Sequence, residues 1–206
     1  MTTMTHITPT VVLAVTLAGA AVGSASAEIL GFDDLATPAS WQYGTYVDTI
    51  PAGYGGLTWT GAGVVRQTSG MSGYLTGLVS GEQTMYTRVD VSMAMIQSAT
   101  PWTFDGAFMT GAWKTDMTVT LTGLLGGATV HNMTFTLGVP TAPTWVQANF
   151  TGIDTLCIQA TGGTTYWGPV VPDNQHLAID GFSYTVPTPG AIALLGLAGL
   201  TRRSRR

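Results

Sequence analysis

All eleven acids of this chain, two of its three histidines and its only cysteine lie between Glu28 and Asp180. Hydrolysis of a glycosidic bond needs only two facing carboxylates, which sequence can hold far apart. Asp33, Asp34, Asp90, Asp105, Asp116, Asp154 and Asp180 sit instead where turns and strand ends are expected, positions that Asp fills for turn chemistry. No Gly-x-Ser-x-Gly, His-Glu-x-x-His or phosphate-cradling glycine loop is present, so no catalytic group is assigned. Acids gathered where strands end suit a hard cation such as calcium, which takes its six to eight ligands from carboxylate and carbonyl oxygens. Cys157 lies in the apolar stretch Ile153–Ile158 and has no second cysteine to pair with, which predicts a buried, inert thiol.

The six tryptophans offer a different chemistry, because an aromatic face stacks on the apolar face of a sugar ring. Trp59 and Trp113 fall in strand-like alternation and are expected inside. Trp41 with Tyr43 and Tyr46, and Tyr166-Trp167 in the glycine-rich stretch Gly162–Pro169, fall in loop-like sequence and are candidate exposed platforms. We assign Trp41, Tyr43, Tyr166 and Trp167 as candidate ligand-binding residues; the other reading is an aromatic loop packed over one end of the fold.

Charge narrows the partners. Four of the seven basic residues are Arg202, Arg203, Arg205 and Arg206, which leaves Arg66, Arg88 and Lys114 against eleven acids in the body, a net of minus eight. A nucleic-acid partner is excluded, since almost nothing is available to neutralise phosphates.

The elements that must position these residues read as strands. The body is rich in Gly, Thr, Val and Trp and poor in helical periodicity. Met117, Val119 and Leu121 alternate with Thr118, Thr120 and Thr122, which predicts a half-buried strand. Thr129–Leu137 follows the turn signal Gly126-Gly127 and completes a hairpin. Further strands are expected at 57–65, 84–91, 104–113, 145–150, 156–160 and 177–186. The predicted fold is all-β, a single antiparallel β-sandwich of jelly-roll type spanning residues 28–186.

Both ends read as addresses. Val11–Val22 is an apolar core followed by Ala25-Ser26-Ala27, a small-x-small cleavage site, so residues 1–27 are expected to be a secretory signal peptide cut after Ala27. Residues 187–206 place Pro187 and Pro189, an uncharged run from Gly190 to Leu200 and the four terminal arginines in that order. This suits a segment held in a membrane with its basic end in the cytoplasm. Its eleven apolar residues fall short of the roughly 20 of a comfortable span, so a marginal span and an interfacial helix both remain open.

The tail, from Val186, Pro187 and Pro189 to Arg202, Arg203, Arg205 and Arg206, resembles the PEP-CTERM sorting signal, with Thr188 where that signal most often has Glu. The resemblance implies a short C-terminal hydrophobic helix that engages the inner membrane before processing. It also implies signal peptidase and an exosortase-like protease as partners, and a final place at the cell surface, in the envelope or in the extracellular matrix. The body carries Gly31–Leu35, Ile50–Trp59, Ser72–Tyr74, Gly111–Trp113, Ala142–Thr144, Asn149–Asp154 and Ala178–Gly181 in that order. It looks like a secreted β-sandwich found in PEP-CTERM proteins, similar in layout to jelly-roll carbohydrate-binding modules. In such modules a structural calcium often lies between the first and last strands, which implies a site of Asp33 or Asp34 with Asp180. The combined expectation is a non-catalytic exported protein that binds extracellular polysaccharide weakly. A purely structural acidic spacer and an unrecognised glycoside hydrolase are the alternatives.

Overall fold

A computed structural model of the chain describes residues 27–88, 93–138, 142–167 and 175–186. Its strands are β1 (Ala27–Leu30), β2 (Ala39–Trp41), β3 (Gly44–Val47), β4 (Thr58–Thr60), β5 (Ala62–Gln67), β6 (Thr84–Thr87), β7 (Ala94–Gly111), β8 (Lys114–Leu125), β9 (Ala128–Leu137), β10 (Thr144–Thr165) and β11 (Leu177–Thr185). A one-turn helix, α1 (Gly73–Thr76), lies between β5 and β6. The signal-peptide residues through Ser26, including Ala25, and the tail from Pro187 onward, with its expected helix, lie outside the described residues. No helix among the described residues is long and apolar enough to cross a membrane.

The expected antiparallel β-sandwich is the observed fold. One layer runs β2-β3-β5-β6-β11-β7-β10, with β1 beside β6 on the same edge of β11; the other runs β4-β7-β10-β8-β9. β7 and β10 belong to both. Residues 94–97 of β7 pair with β4 and with residues 155–158 of β10, whereas residues 102–109 pair with residues 144–153 of β10. Between these stretches the chains must turn a corner. β7 does so across Ser98–Pro101, where Pro101 is exposed and the missing N–H costs no ladder bond. β10 does so through three register shifts, helped by the left-handed Asn149 and Gly152.

Binary patterning explains the core. Met117, Val119 and Leu121 are fully buried on β8 while Thr118 and Thr120 face outward. From the facing layer come Val64, Met85, Met109 and Ile179. Where the layers bend together, Trp102, Phe104, Phe182 and Tyr184 pack ring against ring, Phe104 and Phe182 with centroids 4.8 Å apart. The Tyr184 hydroxyl lies 2.7 Å from Glu28 Oε2 and 2.6 Å from the Gly55 carbonyl oxygen, fastening β1 to the last strand.

Several boundaries differ from the sequence reading. The predicted strand 57–65 is two strands broken at the left-handed Gly61. The predicted strand 84–91 is described as strand only to Thr87. The separate strands 145–150 and 156–160 are one continuous β10, because the bulges bend the strand without ending it. β7 begins ten residues before the expected start at 104. The folded body also reaches Ala27, which pairs with Thr185 in β1.

Candidate ligand-binding face

The outer surface of the β3-β5-β6-β11 layer carries a second, aromatic cluster. Alternation that sends Val64, Met85 and Ile179 inward sends Val65, Tyr86 and Ala178 outward, yet these three are 3%, 8% and 1% exposed. Helix α1 covers part of the face. Ser72 caps it by accepting from the Tyr74 N–H, and its own hydroxyl donates to the buried Gln67 side chain. The Gly73 N–H donates to the Ala112 carbonyl at 2.8 Å, which brings Tyr74 down beside Tyr86. The other cover is Trp113. The sequence pattern places it at the end of a strand; the structure places it just beyond β7, in the Ala112-Trp113 turn before β8. It is buried as expected, but under this outer cluster and not in the sandwich core.

Three of the four proposed ligand-binding residues converge here. Trp167 stacks on Trp113 with centroids 5.4 Å apart and planes 13° from parallel. Trp41 sets its edge against Trp113 at 6.1 Å, and Tyr43 touches both Trp41 and Trp167 at 5.3 Å. Backbone bonds hold the pieces: the Trp113 carbonyl accepts from the N–H groups of Tyr166 and Trp167, and the Tyr43 carbonyl accepts from Thr68. Gly70, left-handed at φ 101°, lets Trp167 lie against the backbone, since a Cβ there would fall 2.5 Å from its ring. Trp41, Tyr43, Tyr166 and Trp167 all remain partly exposed. Tyr166 also contributes its backbone N–H to the assembly.

Beside this rim is a cavity of about 300 Å³. Its walls are Trp41, Tyr46, Tyr74, Tyr86 and Trp113, with Val65 and His176 completing the lining. Of these, loop-like sequence marks Trp41 and Tyr46 as aromatic candidates, whereas Tyr74, Tyr86 and His176 come from the fold. Tyr86 is detectable only by alternation on β6, and Tyr74 comes from a helix too short to show a period. Burial holds the Tyr74 hydroxyl well above its ordinary pKa; burial and then the bond to Asp48, 2.7 Å from the Tyr86 oxygen, do the same for Tyr86. Both phenols are therefore neutral donors at ordinary pH. His176 Nδ1 lies 2.6 Å from the Thr87 carbonyl oxygen. None of the described lining residues is acidic, so the cavity offers ring faces and a few phenol and imidazole edges, chemistry for binding and not for proton transfer between paired carboxylates.

The acidic residues proposed as a metal site lie elsewhere, and each accepts hydrogen bonds from the fold. Asp180, fully buried, accepts on Oδ2 from the N–H groups of Val79 and Ser80 at 2.8 and 2.9 Å and on Oδ1 from Gly181 at 2.6 Å. Asp33 Oδ1 accepts from the N–H groups of Glu82 and Gln83. The two carboxylates thus pin the same loop, and Gly31 sits between them. Asp34 turns away to accept from the Tyr54 hydroxyl. Among the described residues no group of three or more His, Cys, Asp or Glu could hold a metal ion. The donors directed at Asp33 and Asp180 are backbone N–H groups and, for Asp180, the Ser80 hydroxyl. Cys157 is free and 8% exposed, and burial raises its pKa, as an inert thiol requires.

No family model matches the chain, and no curated protein matches it. Solved structures do. A DUF4465 family protein from Bacteroides caccae superposes with a TM-score of 0.53 at 12% identity, covering 79% of this chain and 100% of that one. A DUF4465 family protein from Bacteroides ovatus gives 0.48 at 9% identity, covering 80% and 100%. A CBM51 module from Clostridium perfringens GH95, in complex with methyl-galactose, gives 0.32 at 13% identity, covering 52% of this chain and 72% of that one. The first of these likenesses is one of fold, and it agrees with the β-sandwich described above.

Proposed function

We propose that this chain is a non-catalytic protein, exported to the cell surface or extracellular matrix, whose aromatic outer face binds polysaccharide. One observation carries the reading: Trp41, Tyr43, Trp113 and Trp167 come from three distant segments, meet in one cluster, and leave three of their rings partly exposed on a built surface. Rings held by one another and by backbone bonds lose little freedom on binding, which is what an adsorbing face needs. Trp167 and Tyr43 form the rim on which a sugar ring would lie, stacked by its apolar face. The acidic body disfavours polyanionic polymers, so neutral or cationic glycans are the class expected. The signal peptide and the PEP-CTERM-like tail supply the route in this reading, through signal peptidase, the inner membrane and an exosortase-like protease. The test is retention of the purified full chain on a panel of insoluble and envelope polysaccharides. Retention on at least one neutral or cationic polymer is expected; absence of retention on every polymer would move the assignment to a structural acidic spacer.

A further inference from the structure

The cavity beside the rim differs in shape from a stacking platform. Its neighbouring walls are steeply inclined to one another: Trp41 meets Trp113 at 82°, Trp113 meets Tyr74 at 83°, and Tyr74 meets Tyr86 at 65°. Four rings thus line an open box on successive sides, with Tyr46 beside them. A flat sugar ring can use only one such face, and its equatorial hydroxyls would be driven against the others with few partners, which costs binding energy. A compact tetrahedral group uses all of the walls at once.

Electrostatics selects among compact groups. The face of each ring carries the negative end of its quadrupole, so a box of faces attracts a cation whose charge is spread over methyl groups and easily desolvated. The Tyr86 hydroxyl donates to the Asp48 carboxylate at the edge of the box, placing an anion behind one wall. The Arg88 guanidinium donates to the Asp48 carbonyl oxygen and lies close enough to the Tyr86 hydroxyl to offset part of that negative charge. His176 is turned to the Thr87 carbonyl through Nδ1. The body's excess of acids adds a field that draws in cations.

We propose that this box binds a quaternary ammonium group. The site is distinct from the rim of Tyr43 and Trp167, although the two share Trp41 and Trp113, and the proposal does not depend on polysaccharide binding. The test is a titration of the full chain with choline, followed by tryptophan fluorescence. It is run at constant ionic strength beside choline's neutral carbon isostere, in which a tert-butyl group replaces the trimethylammonium. Saturable binding is expected, with choline at least about tenfold tighter than the isostere, a difference of about 1.4 kcal/mol. Equal affinities would overturn the cationic assignment, and no saturable response to choline would overturn the site. Trp41→Ala removes one half-exposed wall and is expected to weaken choline about tenfold or more, while Trp41→Phe retains most of the affinity; loss of the difference between these variants contradicts the box. If Trp41→Ala does not fold, the isostere comparison on the parent chain still decides. Retention on polysaccharide, read separately with Trp167→Ala, reports on the rim alone.

Discussion

Trp113 and Trp167 stack face to face, 13° from parallel, although the first belongs to the turn between β7 and β8 and the second follows the far end of β10. The backbone repeats the contact, since the Trp113 carbonyl receives the N–H groups of both Tyr166 and Trp167. The stack ties the exposed rim to a buried anchor. It joins the rim to the layer through both side chain and backbone.

That division of labour separates binding from stability. Trp167→Ala should remove the stacking contribution of about 0.5–1.5 kcal/mol and leave a folded protein. Trp102→Ala, at a fully buried position between Phe104, Phe182 and Tyr184, should cost about 3–5 kcal/mol. Urea denaturation of the two variants beside the parent checks the ordering, and equal losses would contradict it.

Asp180 is predicted to act as a loop anchor. Asp180→Ala leaves the N–H groups of Val79, Ser80 and Gly181 without their acceptor, at about 1–3 kcal/mol for each donor that water does not reach. Asp33→Ala should cost less, because the Glu82 end of its bond pair is exposed. Because N–H groups hold the loop, thermal melts of the parent are expected to coincide in calcium and in chelator. A chelator-dependent drop in Tm that Asp33→Ala abolishes would support a calcium site there.

Alkaline pH should unfold the protein in a defined direction. Burial, reinforced by carboxylate partners, raises the pKa of Tyr54, Tyr86 and Tyr184, and burial does so for Tyr74. A phenol whose folded pKa lies above its unfolded value of about 10 adds stability that is complete below that value and is lost as pH rises beyond it. Urea midpoints should therefore begin to fall above about pH 8.5, where the Cys157 thiol ionises in the unfolded chain, and fall further above about 10, less steeply in Tyr86→Phe. A midpoint that rises above pH 10 would contradict the buried, neutral phenols.

The alternation of Met117, Val119 and Leu121 and the Gly126-Gly127 turn made the β8–β9 hairpin legible in sequence, because each residue there reports its own burial. β2 and β3 were not legible. They are three and four residues long, with no fully buried position to set a period. Pro101 hid the length of β7, because a proline that ends a flat strand is tolerated at an exposed corner. At the site, residue type identified Trp41, Tyr43 and Trp167 as binding candidates. Their meeting with Trp113, and the steep angles of the box, depend on chain segments brought together by topology, which no local pattern encodes.

The most direct test places binding on one face. For any polysaccharide that retains the protein, Trp41→Ala and Trp167→Ala are compared with Thr134→Ala, a substitution on the outer surface of the other layer, where Thr134 pairs with Thr120. The account predicts that both tryptophan variants lose retention at least about tenfold while Thr134→Ala matches the parent. Full retention by both tryptophan variants, or a loss confined to Thr134→Ala, would contradict it.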